Sequence, residues 1–212
     1  MRNDHPLRVV KYRCGPLDNN TYLVVDESVK QAVIIDPSFD SAPLWDMVQE
    51  NGWRITEVLN THAHIDHVVE NALFMELAGV GLALHPDEQA ILEAMPVMAS
   101  WLGIEPPRQA EPTHWLADHE RISVGGGELT VTLTPGHSPG SVSFIGPGFV
   151  VAGDALFAGS IGRTDIPSGN QEQLLESIRG RLLVLPDETV VYPGHGKETT
   201  IGVERRTNPF LS

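Results

Sequence analysis

The feature of this chain that most constrains its fold is a set of seven potential metal ligands spread over four segments of the sequence. Four of them lie together in the run Thr-His-Ala-His-Ile-Asp-His at residues 61–67, and the other three stand much further along the chain. The set comprises His62, His64, Asp66, His67, His137, Asp154 and His195. A fold that uses all of them must gather side chains from distant stretches into one small volume.

Each of these four segments follows a predicted strand. The ends of neighbouring strands converge at one edge of a sheet, so ligands placed just after strands can meet there. The four strands are predicted at residues 56–60, 128–134, 149–152 and 189–192. The pattern therefore predicts one site at a sheet edge, assembled from several loops.

Strand and helix patterns alternate along the rest of the chain. Further strands are predicted at residues 8–13, 21–26, 32–36, 81–84 and 141–145, and helices at 40–51, 68–78, 87–95, 171–185 and 199–206. The stretch 95–114 contains four prolines and is predicted to be irregular. Hairpin-sized turns join the opening strands, which indicates a mixed sheet with helices outside it.

Composition narrows the class of protein. The 212 residues suffice for one large domain or two small ones. A formal net charge of −14 argues against nucleic acid or an anionic membrane as a partner. No apolar run approaches the roughly 20 residues of a membrane helix, and the polar N-terminus lacks the apolar core of a signal peptide. Cys14 is the single cysteine, which fits a reducing compartment, so we expect a cytoplasmic protein.

The donor chemistry of the ligand set points to a catalytic metal centre. Imidazoles and carboxylates without a thiolate suit zinc, iron(II) or manganese. Structural zinc sites are usually closed and rich in thiolates, which this set is not. Seven ligands exceed the four of one tetrahedral ion and are enough for two ions that share a carboxylate.

Four ordered motifs carry a resemblance to a known family. Residues 61–67, Thr-Pro-Gly-His-Ser-Pro-Gly at 134–140, Gly-Asp-Ala-Leu-Phe at 153–157 and Tyr-Pro-Gly-His at 192–195 together resemble the metallo-β-lactamase superfamily. Gly-Ser-Ile-Gly-Arg-Thr-Asp at 159–165 and Arg-Thr-Asn-Pro-Phe at 206–210 are similar to its glyoxalase II branch in the short form. The resemblance covers nearly the whole chain.

The resemblance implies an α/β fold, an αββα sandwich of two mixed sheets flanked by helices, in one domain over residues 1–212. The helical domain that completes the thiol site of long glyoxalase II enzymes is not expected. In this family pattern one metal is held by His62, His64 and His137, and the other by Asp66, His67 and His195. Asp154 would bridge the two ions.

The implied chemistry is hydrolysis. Two divalent ions roughly 3.5–4 Å apart can share a hydroxide and lower the pKa of its parent water towards 7. Asp66 is the expected catalytic residue because its carboxylate can orient the nucleophile. The leading interpretation is a thioesterase that cleaves an acyl thioester such as a hydroxyacyl-glutathione. The position of Asp66 and the net charge count against β-lactamases and nucleases, respectively.

Two basic residues are candidates for binding the substrate. Arg163 matches a basic position that contacts glutathione in glyoxalase II, although an ion pair with Asp165 is the alternative. Lys197 follows His195 closely and is a candidate to reach the same pocket, although a solvated lysine is the simpler interpretation. The apolar side chains Met98, Trp101 and Leu102 either cover the metals as a lid or pack on the domain.

Three other interpretations stay open. A persulfide dioxygenase on this scaffold would use a single iron held by His62, His137 and Asp154, the facial-triad pattern of two histidines and a carboxylate. A lactonase or other small-ester hydrolase on the same scaffold would prefer oxygen esters over thioesters. A metal-binding protein without catalytic activity is the third alternative.

Overall fold

The computed structural model describes residues 7–211, which form two mixed six-stranded sheets packed face to face. In the first sheet the spatial order follows the chain: β1 Leu7–Cys14, β2 Asn19–Asp26, β3 Gln31–Ile35, β4 Arg54–Leu59, β5 Leu82–Leu84 and β6 His114–Trp115. Strands β1 to β3 are antiparallel, and β3 to β6 are parallel. The antiparallel part is built from hairpins, as the short turns between these strands predict.

The second sheet contains the strands that carry the later ligand segments. Its members are β7 Arg121–Val124, β8 Gly127–Leu133, β9 Val142–Gly146, β10 Phe149–Gly153, β13 Val190–Pro193 and β14 Thr199–Thr200, in the order β14-β13-β10-β9-β8-β7. The pair β10 and β13 is parallel, and its other pairs are antiparallel. A small hairpin of β11 Leu156–Phe157 and β12 Ser160–Ile161 lies between β10 and β13 in the chain.

The core has layers because central strands such as β2 and β10 are buried on both faces. Along β2, Tyr22 and Val24 belong to the cluster between the two sheets, whereas Leu23 and Val25 belong to the cluster beneath the helices. This alternation is the period of two that a strand imposes on its side chains. Strands buried in this way are continuous apolar runs, which is why they are recognisable in the sequence.

Helices cover the outer faces of both sheets. The first sheet packs against α1 Leu44–Asn51 and α3 Asn71–Ala78, and the second against α6 Gln171–Ser177 and α7 Ile201–Thr207. A third group, α2 Ile65–Val68, α4 Gln89–Glu93 and α5 Met95–Leu102, shares a separate apolar cluster near the end of β5. The predicted αββα sandwich is therefore confirmed. Within residues 7–211, none of the helices combines the length and apolar character needed to cross a lipid bilayer.

The prediction that residues 95–114 are irregular was wrong for the first part of this stretch, where α5 forms. Pro96 lies in the first turn of α5, where the backbone N–H has no helical partner and proline is tolerated. The helix ends at Gly103, which adopts a left-handed φ of 68°. The remaining prolines all follow this end, so they do not interrupt the helix.

Candidate metal centre

The seven predicted ligands lie together at one end of the sandwich, on loops and helix starts that follow strands. His62 and His64 follow β4, and the short helix α2 carries Asp66 and His67. The remaining three ligands are His137 between β8 and β9, Asp154 directly after β10, and His195 after β13. The structure therefore brings together residues that are separated by most of the chain length.

The first group of donors consists of His62, His64 and His137, whose ring nitrogens lie within 4.8 Å of one another. The shortest distance in it, 2.8 Å, joins His64 Nδ1 to His137 Nε2. His64 thus faces the site through Nδ1 and His137 through Nε2. Three imidazoles from two loops converge here on one point.

The second group consists of Asp66, His67 and His195. His67 Nε2 lies 3.3 Å from His195 Nε2, and His195 Nε2 lies 3.4 Å from Asp66 Oδ2. Asp154 lies between the groups, with Oδ2 3.6 Å from His137 Nε2 and 3.4 Å from His195 Nε2. A single carboxylate therefore reaches a member of each group, as a bridging ligand must.

Two buried atoms in the centre have no hydrogen-bond partner among residues 7–211. They are His62 Nε2 and Asp154 Oδ1. Buried polar atoms are nearly always paired, so the unpaired imidazole nitrogen and the unpaired carboxylate oxygen of this centre each indicate a ligand. A divalent cation satisfies both, and the nitrogen and oxygen donors around them suit zinc, iron or manganese. The residues of this chain therefore fit a metal centre.

Hydrogen bonds on the far side of the rings fix their orientation. His137 Nδ1 donates to the carbonyl oxygen of Arg163 at 2.8 Å, and His195 Nδ1 donates to that of Leu17 at 2.8 Å. Because a carbonyl oxygen can only accept, Nδ1 carries a proton in both rings, and Nε2 is the nitrogen that remains available to a metal ion. Sequence analysis did not find these carbonyl partners, since any residue type supplies one.

Asp36 orients two more ligands from the end of β3. Its Oδ2 lies 3.1 Å from His67 Nδ1 and accepts a hydrogen bond of 2.6 Å from Thr61 Oγ1. Since Thr61 donates its hydroxyl proton to Asp36, its oxygen accepts from His62 Nδ1 at 3.0 Å, which leaves His62 Nε2 bare. Sequence analysis missed Asp36 because it was counted as the last residue of the strand predicted at 32–36, whereas in the structure it directly follows β3.

Glu88 ties the two loops of the first donor group together. Its carboxylate is buried and accepts the backbone N–H of Ala63 and that of Gly140, each at 2.7 Å. Burial raises the pKa of Glu88, and these N–H donors act in the opposite direction. Ala63 lies between His62 and His64, so one side chain sets the spacing of the loops that present the first three imidazoles.

Electrostatics favours the neutral form of His62 and His64 in the first donor group. Burial and the neighbouring imidazoles hold the pKa of His62 well below its usual range. Burial, followed by the charge of His137, lowers the pKa of His64 to about 4. Neutral imidazoles are the form that binds a metal ion.

The second group is dominated by the carboxylate of Asp66 and that of the neighbouring Asp154. Burial opposes ionisation of Asp66 and Asp154, but His67 and His195 outweigh it, lowering the pKa of Asp66 and bringing that of Asp154 to about 2. Burial also disfavours charge on the two imidazoles, yet the carboxylates raise the pKa of His67 to about 9 and that of His195 to about 11. The negative charge here thus favours cations, whether protons or metal ions.

The centre lies at the floor of a cavity of about 590 Å³. Its walls include Met98, Trp101 and Leu102 of α5 together with Arg163 and residues 166–168. Arg163 lines this cavity, and its guanidinium forms an ion pair with Asp165 at 2.9 Å, the alternative foreseen for it.

The structure does not bring Lys197 into this cavity. Its side chain is exposed, and it is not among the residues that line the walls. An exposed ammonium group keeps its hydration shell, so the position of Lys197 agrees with the simpler interpretation of a solvated lysine.

A glycine is required beside the carboxylate of Asp154. A Cβ atom at Gly194 would collide with Oδ1 of Asp154 and would crowd the ring of His67. Because Gly194 has no side chain, the chain after β13 can pass close to the centre, and the adjacent His195 can reach it.

Comparison with known proteins agrees with this geometry. A curated relative, hydroxyacylglutathione hydrolase GloC of Haemophilus influenzae, is 36% identical over 91% of this chain and 92% of its own length. The crystal structure of BLEG-1 B3 metallo-beta-lactamase has a TM-score of 0.89 at 35% identity and covers 97% of this chain and 100% of its own. That of TTHA1623 in a di-iron-bound form has a TM-score of 0.87 at 40% identity, with coverages of 96% and 100%.

The sequence profile of the metallo-beta-lactamase superfamily matches residues 14–195, which include all seven predicted ligands. The fold, the profile and the relatives agree with the resemblance seen in the motifs. This chain belongs to the metallo-beta-lactamase superfamily.

Proposed function

We propose that this protein is a binuclear metal-dependent hydrolase that cleaves an acyl thioester, such as a hydroxyacyl-glutathione, into a carboxylic acid and a thiol. The observation that carries the proposal is the position of Asp154, within 3.6 Å of His137 in one donor group and 3.4 Å of His195 in the other. Two groups of three donors that share one carboxylate can hold two ions side by side.

When bound, two divalent ions would polarise the substrate carbonyl and lower the pKa of the attacking water. The ligand sets would be His62, His64 and His137 for one ion and Asp66, His67 and His195 for the other, with Asp154 between them. In the reaction the water oxygen forms a bond to the acyl carbon and the carbon–sulfur bond breaks. One water proton ends on the thiol, and the other leaves with the carboxylic acid.

Asp66 has the position of a residue that orients the attacking water. Asn19 Nδ2 donates to Asp66 Oδ2 at 3.0 Å and to the Asp66 carbonyl at 3.1 Å, which fixes the carboxylate. The lowered pKa of Asp66 keeps it ionised at neutral pH, so it accepts a hydrogen bond from water. A fixed acceptor of this kind contributes by orientation.

The charge of the protein and the name of a relative support a small-molecule substrate. The net charge of −14 disfavours nucleic acid, and GloC is named as a hydroxyacylglutathione hydrolase. Arg163, at the cavity wall, is the residue that we assign to an anionic thiol such as glutathione. We do not extend this role to Lys197, which lies outside the cavity.

The test combines metal analysis with a substrate panel. Protein loaded separately with zinc, iron(II) and manganese is assayed for metal per chain and for thiol release from S-lactoylglutathione. We expect two ions per chain and turnover that a chelator abolishes. One ion per chain with oxygen uptake on glutathione persulfide would instead indicate the persulfide dioxygenase. A preference for oxygen esters would indicate the lactonase, and cleavage of a cephalosporin without thioester cleavage would indicate a β-lactamase.

A further inference from the structure

The cavity above the metal centre has a wall of apolar side chains, two of which, Ile91 and Met98, also pack against the apolar cluster of α2, α4 and α5. This wall, called the apolar wall below, consists of Ala90, Ile91, Ala94, Met98, Trp101 and Leu102. Ile91, Ala94, Met98 and Trp101 are spaced by three to four residues, which favours one side of the α4–α5 segment, and Ala90 and Leu102 are their immediate neighbours. The same cavity is lined by His64, Asp66, His137, Asp154 and His195, so the wall is continuous with the metal ligands.

The outer part of the apolar wall is exposed although α5 is firmly anchored. Met95 and Ala99 are buried and hold α5 in its apolar cluster. Trp101, by contrast, is 71% exposed and Leu102 is 46% exposed. A large aromatic side chain left in water beside a metal centre is typical of a surface that binds an apolar group.

The charges of the cavity divide it into two regions. Arg163 is the one Lys or Arg side chain among the described residues that line it, and Asp165 already neutralises part of its charge. The six residues of the apolar wall carry no charge at all. A volume of about 590 Å³ lies in the range of pockets that hold drug-sized ligands, so one cavity can take an acyl chain along the wall and the thiol part at Arg163.

We propose that the preferred acyl group is an extended, uncharged hydrocarbon chain that lies along the apolar wall, with the thiol part of the substrate directed to Arg163. This inference rests on the proposed thioester hydrolysis and names its substrate class. The carbon–sulfur bond breaks at the metal centre as described above, and the products are a medium-chain carboxylic acid and the thiol. Burial of each methylene group against the wall favours the longer chain.

The test is a series of S-acyl-glutathiones with acyl chains of two to eight carbons, compared with S-lactoylglutathione. A buried methylene contributes about 0.8 kcal/mol, so we expect kcat/KM to rise about three- to fourfold per methylene until the wall is covered. Trp101→Ala should lower the ratio of kcat/KM for octanoyl to that for acetyl about tenfold. Val97→Ala is the matched control, because Val97 is on the same helix and 50% exposed but does not line the cavity.

A binding measurement separates this inference from the proposed reaction. Calorimetric titration of the metal-loaded protein with octanoate and with lactate should show tighter binding of octanoate, and Trp101→Ala should weaken that binding while Val97→Ala does not. A kcat/KM that does not depend on chain length, or equal affinities for octanoate and lactate, overturns the inference. Failure to cleave any thioester while octanoate binds tightly would overturn the proposed reaction and leave the apolar wall as the binding surface.

Discussion

The carboxylate of Glu88 accepts a hydrogen bond of 2.7 Å from the backbone N–H of Gly140, a residue 52 positions further along the chain. Its other oxygen holds the N–H of Ala63 at the same distance. The loop that carries His62 and His64 is therefore joined to the loop that carries His137 through a side chain that touches no substrate. We regard Glu88 as a positioning residue for the first donor group.

Glu88→Gln should destabilise the protein and loosen the first donor group. A carboxylate accepts both N–H bonds, whereas the amide offers one oxygen and turns its NH₂ group towards the other donor. A buried N–H without an acceptor costs about 1–3 kcal/mol. We expect a lower Tm in thermal unfolding and less than two metal ions per chain by elemental analysis.

Glu93→Gln is the control for this prediction, because Glu93 is an exposed acid at the end of α4. It should leave both Tm and metal content near those of the parent protein. If Glu88→Gln behaves in the same way as Glu93→Gln, the two loops are held by other contacts and the positioning role is incorrect.

Asp154→Ala should remove the link between the two donor groups. Neither set is complete without the shared carboxylate, so we expect the loss of at least one ion per chain and a decrease in kcat of at least about 100-fold. Metal content and turnover are measured on the same sample. Asp46→Ala on α1 removes an exposed carboxylate and controls for the change in net charge. Two ions per chain with a near-normal rate would contradict the bridging assignment.

The α/β character of the fold and the place of the site were predictable from the sequence. Strands buried on both faces leave continuous apolar runs such as that of β2, and the ligand segments follow strand ends as sheet topology requires. The two-sheet architecture came from the motif resemblance, because periodicity alone does not say which strands share a sheet. Pairings such as β10 with β13 depend on long-range contacts.

The supporting residues were much harder to find. Glu88 falls in a helical pattern as an ordinary acid, and only the folded structure shows that its carboxylate is buried between two loops. The position of Asp36 at the end of a strand was visible in the sequence, but its role is to orient His67, which is 31 residues away. The helix α5 was missed because the prolines were counted without regard to their position in a helical turn.

Asp36→Asn should weaken metal binding more than folding. Asparagine keeps the shape, but an NH₂ group in place of Oδ2 cannot accept from both Thr61 Oγ1 and His67 Nδ1. Losing a partner of this kind typically costs about 10–100-fold in metal affinity. Competition with a chromophoric chelator measures the dissociation constant of each ion.

Asp40→Asn is a matched control for Asp36→Asn. Both aspartates have positive φ, 60° for Asp40 and 53° for Asp36, and asparagine tolerates that conformation. Asp40 is exposed, so its variant should bind metal as the parent does. Equal metal affinities in the two variants would show that Asp36 does not orient His67.

Arg163→Ala should raise KM for S-lactoylglutathione more than it lowers kcat. The guanidinium is 73% exposed at the cavity wall, and its loss removes binding that the ground state and the transition state share. Metal content should not change, because His137 is held by the backbone carbonyl of residue 163, which alanine retains. Arg121→Ala removes an arginine that is 71% exposed and paired with Glu128, and it should leave both constants as they are. A change confined to kcat would count against this role for Arg163.

His114 should make a pH-dependent contribution to stability. Its Nδ1 lies 2.9 Å from Glu57, and its Nε2 lies 2.6 Å from Glu120. Burial lowers the pKa of His114, but the two carboxylates outweigh burial, so the net change is upward. A histidine whose pKa is higher in the folded state stabilises it fully below the unfolded pKa of about 6.5, and this contribution is lost as the pH rises through the folded pKa. His114→Gln should therefore lower Tm, relative to the parent, by more at pH 6 than at pH 9.

The shift for His114→Gln should be a few degrees at most, since water screens a partly exposed group. Differential scanning calorimetry at both pH values, with equal metal loading, gives the difference in Tm at each. His119→Gln is the control, because His119 is largely exposed. The Tm difference between His119→Gln and the parent should change less between pH 6 and pH 9 than the difference for His114→Gln. A Tm difference for His114→Gln that is equal at pH 6 and pH 9 would mean that the proton on His114 does not stabilise the fold, whatever its packing contributes.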